Sequence, residues 1–167
     1  MTATLARLRV PLGFVCGALA LVLAHPTPAS VTAGLLVAIA GEAIRVWAAG
    51  HVEKGREVTQ SGPYRLVRHP LYLGSALMGA GFIWSAQSLP VAILVAIYLV
   101  TTLTAAIRAE EAALEARFGP EYAAYREGRA QPTDRPLSWA RAKANREHRA
   151  IVGLAIGAVL LYLKLLP

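Results

Sequence analysis

Long apolar runs separated by short polar segments dominate the pattern of this chain. The runs cover residues 10–24, 29–49, 70–107 and 150–166. As one helix, residues 70–107 would extend about 57 Å, nearly twice the hydrocarbon core of a bilayer. Because Gln87, Ser88 and Pro90 interrupt this run, we expect a helical hairpin that forms spans three and four. The pattern predicts an all-α, polytopic membrane bundle of about five transmembrane helices.

Composition agrees with a single integral membrane domain over residues 1–167. The chain is 56% hydrophobic and only 16% charged, with a mean hydropathy of +0.47, which is too apolar for a soluble domain of this size. The net charge of +7 comes from bases in the segments between apolar runs, as in cytoplasmic loops of membrane proteins. We therefore expect membrane lipids, and no nucleic acid, as partners. The richness in Ala, Arg and Gly is compatible with a bacterial inner membrane.

The distribution of basic residues predicts the orientation. They occupy the N-terminus, residues 51–68 and residues 127–149, whereas the other two connections contain no Lys or Arg. The positive-inside rule then places the N-terminus and both ends of the hairpin in the cytoplasm. Residues 150–166 are expected to form an extra C-terminal span.

Residues 127–149 are expected to form a basic surface or interfacial segment. In an interfacial helix, Leu137 and Trp139 would face lipid, with Arg141 and Lys143 toward the headgroups.

Residues 61–74 carry most of the candidate chemistry. They read Ser-Gly-Pro-Tyr-Arg-Leu-Val-Arg-His-Pro-Leu-Tyr-Leu-Gly, a turn followed by a helix start. A positive-inside loop needs only the arginines and leaves the tyrosines, histidine and glycines unexplained. The hairpin would return a Glu-Glu pair to the same membrane face. The expected cytoplasmic pocket combines Tyr64, Arg68, His69, Tyr72, Glu110 and Glu111, a mixture of charges that suits a zwitterionic ligand with vicinal hydroxyls.

Four further residues inside the apolar runs allow two interpretations each. Glu42 and Arg45 are three apart on one helical face, where they either line a working cavity or lie at the interface. Gly79 and Gly81 allow close approach of either a ligand or a neighbouring helix. No metal site is expected, because Cys16 is alone and the four histidines lack a two-His helical spacing.

Four motifs in register carry a family resemblance. They are Ser61-Gly-Pro-Tyr64, Arg68-His-Pro-Leu-Tyr-Leu-Gly74, Glu110-Glu111 and Phe118-Gly-Pro-Glu-Tyr122. In this order and spacing they resemble the isoprenylcysteine carboxyl methyltransferase family, whose wider superfamily includes the phospholipid (phosphatidylethanolamine) N-methyltransferases. The resemblance covers residues 41–126, which we interpret as a methyltransferase-like core.

The resemblance implies an S-adenosylmethionine-dependent methyltransferase with a hydrophobic, membrane-embedded acceptor. That acceptor would be the carboxylate of an isoprenoid or prenylcysteine-like compound, or a lipid amine. The implied cofactor contacts are Thr59, Tyr64, His69, Pro70, Tyr72, Gly79, Gly81 and Glu110, to which the pocket argument adds Arg68. An amine acceptor would need a base, for which His69, Glu110, Glu111 or a tyrosine are the candidates. Glu42, Arg45 and Arg108 are the candidates for the acceptor side.

Two other classes remain alternatives at this point. A membrane NADPH-dependent sterol-type reductase would share an Arg-His-x-x-Tyr-x-Gly pattern, although the Glu-Glu helix followed by Phe-Gly-Pro-Glu-Tyr speaks against it. A non-catalytic scaffold or transporter would keep the fold without the chemistry. The sequence leaves the acceptor and the oligomeric state open.

Overall fold

A computed structural model describes residues 2–166, with side chains from residue 11 onward, and these residues form helices and connecting loops without any strand. The helices are α1 (Thr2–Leu23), α2 (Pro28–Ala49), α3 (Pro70–Ala86), α4 (Leu89–Phe118), α5 (Pro120–Arg126), α6 (Trp139–Ala144) and α7 (His148–Leu163). A short 3₁₀ helix, Gly62–Arg65, precedes α3. The expected all-α class is confirmed.

Two helices, α2 and α4, are long and apolar enough to cross a membrane. The apolar part of α1, Pro11–Leu23, and α7 are shorter than the usual span of about 20 residues. The five-span bundle therefore stays a prediction.

Helix boundaries follow local sequence signals. The Thr27 side chain accepts a hydrogen bond from the Ser30 backbone N–H at 3.1 Å, and the Ser30 hydroxyl accepts one from the Thr27 N–H at 2.9 Å. This reciprocal cap satisfies two donors at the start of α2. Gln87, in the left-handed region with φ of 47°, and Ser88 connect α3 to α4. Gly119 ends α4 at the predicted Gly-Pro.

The α2 and α3 backbones approach each other directly because glycines face each other along the contact. A Cβ on Gly41 would lie 2.6 Å from the Gly74 carbonyl oxygen, and one on Gly81 would lie 2.7 Å from the Ala38 nitrogen. A Cβ on Gly79 would collide with Leu99 of α4. The positions of Gly79 and Gly81 therefore match the helix-packing interpretation.

The apolar core lies at the end of the bundle where α3 meets α4. It contains Ala24, Val31, Ala86, Val91 and Leu161. Across this end, the Ser30 hydroxyl donates to the Ser85 carbonyl at 3.0 Å. The opposite ends of α3 and α4 are free to form a polar site.

Two charged side chains attach α7 to the rest of the fold. The Lys164 ammonium donates to the carbonyls of Leu21 at 2.7 Å and Ala24 at 2.7 Å, where it satisfies the C-terminal carbonyls of α1. At the other end, Glu147 precedes α7 and pairs with Arg45 at 2.7 Å.

Arg141 on α6 binds the protein backbone, and its expected role toward the headgroups stays a prediction. Its Nε donates to the Gly50 carbonyl at 2.8 Å, because the carbonyls that end α2 have no partner within that helix. Trp139, in contrast, is 70% exposed, and Leu137 is also exposed.

Candidate active site

A polar cavity of about 530 Å³ lies where the start of α3 meets the last turns of α4. Its lining includes five residues of the predicted cofactor set, Thr59, Tyr64, Arg68, His69 and Glu110. Because α4 has 30 residues and α3 has 17, the charged end of α4 extends beyond α3 and lies beside the loop that follows α2. That difference in helix length creates the cavity.

His69 is the centre of the site. Its Nε2 lies 3.0 Å from Glu111 Oε1, and its Nδ1 lies 3.9 Å from Glu110 Oε2. Arg68 Nη1 lies 3.5 Å from the same oxygen of Glu111. Residues separated by about forty positions are thus brought together, as the hairpin predicts. Both glutamates approach His69, although only Glu110 lines the cavity.

Pro70 and Tyr72 support His69 from the first turn of α3. Pro70 is buried as the first residue of the helix, where its missing N–H needs no partner. The Tyr72 ring lies 5.8 Å from the His69 ring, centroid to centroid, at 45°. Neither residue lines the cavity, so their predicted cofactor contacts stay predictions.

Three tyrosines close one side of the cavity. The Tyr125 hydroxyl donates to the Tyr64 carbonyl at 2.8 Å, and the rings of Tyr122 and Tyr125 lie 6.3 Å apart. Burial raises the pKa of Tyr125 to about 12 and raises the pKa of Tyr64 well above its usual value. Burial and the charge of Glu111 also raise the pKa of Tyr122. At neutral pH these phenols are hydrogen-bond donors and not bases.

Several cavity residues were missed by the sequence reasoning. They are Glu53, Lys54, Glu57, Arg117, Phe118, Tyr122 and Tyr125. The signal for the first three was present, since the segment after α2 is rich in both charges. Only the folded loop shows that these charges face the cavity.

The predicted acceptor-side residues do not line the polar cavity. Glu42 and Arg45 pair at 3.5 Å, Arg45 also pairs with Glu147 at 2.7 Å, and both glutamates are buried. This cluster supports an interior position for the charges but lines neither cavity described here. Arg108 is exposed and is also absent from both linings.

A second cavity of about 600 Å³ lies between α1, α3, α4 and α7. Along α3 it runs from Ser75 to Ala86, about 16 Å at 1.5 Å per residue. Among the residues whose side chains the structure describes, its lining contains none with a charge. Part of this volume is left empty by glycines such as Gly17 and Gly153. A Cβ added to either residue would meet no other atom within 4 Å. We call it the apolar slot.

Within the part of the chain that the structure describes, no three His, Cys, Asp or Glu side chains are grouped as metal ligands.

The segment that forms most of this site matches the model of a known protein family. The model of the phospholipid methyltransferase family matches residues 43–121, a segment that contains His69 and both glutamates. This segment of the chain is similar to the phospholipid methyltransferase family. The predicted resemblance is thereby confirmed, while residues 122–166, with α6 and α7, lie beyond the match.

One curated relative is the "Cobalt-zinc-cadmium resistance protein CzcN" of Cupriavidus metallidurans. It is 34% identical over 101 residues, which are 59% of this chain and 46% of the relative. The match thus spans about half the length of that relative. No solved structure matches the chain.

Proposed function

We propose that this protein transfers a methyl group from S-adenosylmethionine to a hydrophobic acceptor in the membrane. The observation that carries the proposal is the polar cavity, whose lining includes His69 and Glu110. Glu111 lies 3.0 Å from His69 Nε2, and all three residues lie within the matched segment. When bound, S-adenosylmethionine supplies a methyl group on a cationic sulfur. The roles below belong to the side chains of this chain.

The cavity residues fit S-adenosylmethionine in size and charge. A volume of about 530 Å³ lies in the usual range for ligand sites. Arg68 can bind a carboxylate, whereas Glu110 can accept hydrogen bonds from hydroxyl or ammonium groups. Thr59 and Tyr64 add polar groups that can fix the orientation of the ligand. Apolar wall residues such as Val58 and Leu114 suit a purine ring.

Of the groups in the cavity, His69 is best placed to take a proton. Glu111 binds its Nε2 at 3.0 Å and orients the ring, so that a neutral His69 can accept the proton of an amine acceptor at Nδ1. The tyrosines, with their raised pKa values, supply hydrogen bonds instead. A carboxylate acceptor would need no base, and His69 would then serve only in binding.

The apolar slot supports an acceptor with an aliphatic or isoprenoid chain. Its lining begins at Ser75, six residues after His69, or about 9 Å along α3. A lipid amine or an isoprenoid carboxylate could place its chain in the slot and its polar end toward His69. Burying that chain among apolar residues is favourable by about 0.8 kcal/mol per CH₂ group.

We also propose a membrane arrangement with the polar cavity in the cytoplasm. The bases in the first part of α1 and around the cavity follow the positive-inside pattern. This topology gives S-adenosylmethionine access from the cytoplasm and the acceptor access from the bilayer.

A methyl-transfer assay in nanodiscs tests the proposed function. Wild-type protein, S-adenosylmethionine labelled in its methyl group and a bacterial lipid extract should yield labelled lipid. Glu111→Gln should lower the rate at least tenfold, because the amide removes the charge that His69 and Arg68 share. Glu115→Gln is the matched control, since Glu115 is exposed on the same helix and pairs with Arg126 at 3.8 Å. Absence of labelled lipid with wild type, or equal rates in the two variants, would contradict the proposal.

A further inference from the structure

A segment beyond the family match crosses the loop that lines the polar cavity. We call residues 133–147 the strap and residues 50–59 the cavity loop. The family match ends at residue 121, so the strap is an addition to the shared core. It contains α6 and lies against the end of α2, where the cavity loop begins.

The strap supplies hydrogen-bond donors to carbonyl groups at the end of α2 and just after it. Asn145 Nδ2 donates to the Ala49 carbonyl at 2.9 Å and to the Val52 carbonyl at 3.0 Å. Arg141 Nε donates to the Gly50 carbonyl at 2.8 Å. The last carbonyls of a helix have no donors within the helix, so these side chains replace a local cap.

Arg135 then joins the strap to the acidic side chains of the cavity loop. Its Nη2 donates to Glu57 Oε2 at 2.6 Å, and its Nη1 donates to the His51 carbonyl at 3.2 Å. The Nη1 also lies 3.6 Å from Glu53 Oε1. Both glutamates line the cavity, so Arg135 holds two cavity carboxylates and the loop backbone at once.

This connection continues to a predicted cofactor contact. The second oxygen of Glu57, Oε1, accepts a hydrogen bond from the Thr59 hydroxyl at 3.3 Å, and Thr59 also lines the cavity. Arg135, Glu57 and Thr59 thus form a continuous chain from strap to cavity. The hydrogen bonds within the loop are longer than the bond from Arg135 to Glu57. The Arg56 N–H donates to the Glu53 carbonyl at 3.1 Å, and the Glu53 N–H donates to the Thr59 hydroxyl at 3.4 Å.

We propose that the strap holds the cavity loop in the shape that binds the cofactor, with Arg135 as its positioning residue. The proposal rests on the proposed function, because it takes S-adenosylmethionine as the ligand. Arg135 does not line the cavity, so it acts through Glu57 and the loop backbone. The planar guanidinium directs its two Nη groups to different acceptors in a fixed geometry, which a lysine ammonium cannot reproduce.

The test compares Arg135→Ala and Arg135→Lys with wild-type protein in nanodiscs. Arg135→Ala should raise the Kd for S-adenosylmethionine at least tenfold, with kcat at saturating cofactor within twofold of wild type. Arg135→Lys should recover part of the affinity. Arg129→Ala is the matched control, because Arg129 is exposed and pairs with Glu127 inside its own turn, and it should leave the Kd unchanged.

A double-mutant cycle with Glu57→Gln separates positioning from general destabilisation. If Arg135 acts through Glu57, the double variant should bind S-adenosylmethionine no more weakly than Arg135→Ala alone. Additive losses would overturn that route. An unchanged Kd in Arg135→Ala would overturn the proposal, even if its melting temperature fell.

Hydrogen exchange distinguishes failure of this proposal from failure of the proposed function. The amides of residues 52–59 should exchange faster in Arg135→Ala than in Arg129→Ala. If the wild type binds no S-adenosylmethionine, the proposed function and the cofactor role of the strap both fall, and exchange alone decides whether Arg135 holds the loop. If exchange is unchanged, the strap proposal is overturned while the proposed function stands.

Discussion

His51 shows how one residue can connect the cavity loop, the turn before α3 and the strap. Its ring is buried, its Nδ1 lies 3.1 Å from the Ser61 hydroxyl oxygen, and a Cβ on Gly62 would lie 2.5 Å from the ring. Gly62 also has a φ of 56°, which glycine adopts without strain. Burial, followed by the charges of Arg141, Arg135 and Arg65, lowers the pKa of His51 below its ordinary value of 6.5.

This lowered pKa predicts a loss of stability on acidification. As the pH falls below 6.5, the unfolded chain takes up the His51 proton before the folded chain does. The contribution of His51 to the free energy of unfolding is therefore complete above that pH. It declines below that pH until the pKa of His51 in the folded state is reached. Between about pH 7.5 and about pH 5.5, His51→Gln should lose less in melting temperature than wild type in the same detergent.

His25→Gln is the control for this pH series, because His25 is exposed at the opposite end of the bundle. It should follow the wild-type dependence. Parallel curves for wild type and His51→Gln would contradict the role given to the ring.

Residue contacts differ in how far the sequence can predict them. The meeting of His69 with Glu110 and Glu111 follows from a hairpin whose interruption at Gln87 is visible in the sequence. The Arg135–Glu57 pair does not follow from the sequence, because 78 positions separate the partners and no periodic pattern relates them. Its geometry depends on a path through irregular loops.

At the level of helices, the position of the site follows from where each helix begins and ends. Pro70, Gln87 and Gly119-Pro120 mark boundaries of α3 and α4 that the structure reproduces within one or two residues. The resulting difference in length leaves the charged turns of α4 beside the cavity loop. The bond from Arg141 to the Gly50 carbonyl could not be predicted, because a pattern of apolar residues does not show which carbonyls at the end of α2 need a donor.

The apolar slot gives a prediction about α7. Gly153→Leu should fill part of the slot and lower the rate with a long-chain acceptor at least tenfold, with the Kd for S-adenosylmethionine unchanged. The substitution should not destabilise the helix, since leucine has a higher helix propensity than glycine. Methyl-transfer rates with acceptors of different chain length measure the effect.

Ala155→Leu provides the control on the same helix. Ala155 is exposed and does not line the slot, so its replacement should leave the rate within twofold of wild type. Equal rates for Gly153→Leu and Ala155→Leu would show that the acceptor chain does not occupy the slot.

At the scale of the whole molecule, one end of the bundle is packed and apolar while the other carries the polar cavity. Alternating apolar runs and basic segments predict this polarity, and the family match covers the helices that form the cavity. The sequence could not show how residues 122–166 join this core. Lys164 and Glu147 reach α1 and α2 through contacts between distant parts of the chain, which composition alone does not predict.

Calorimetric titration of S-adenosylmethionine into the protein in nanodiscs tests the central claim most directly. The wild type should bind, and Glu110→Gln should bind at least tenfold more weakly, a loss of about 1.4 kcal/mol. Glu127→Gln, at an exposed position outside the cavity, should match the wild type. No heat of binding from folded wild type would contradict the methyltransferase account, and binding of a nicotinamide nucleotide instead would favour a reductase.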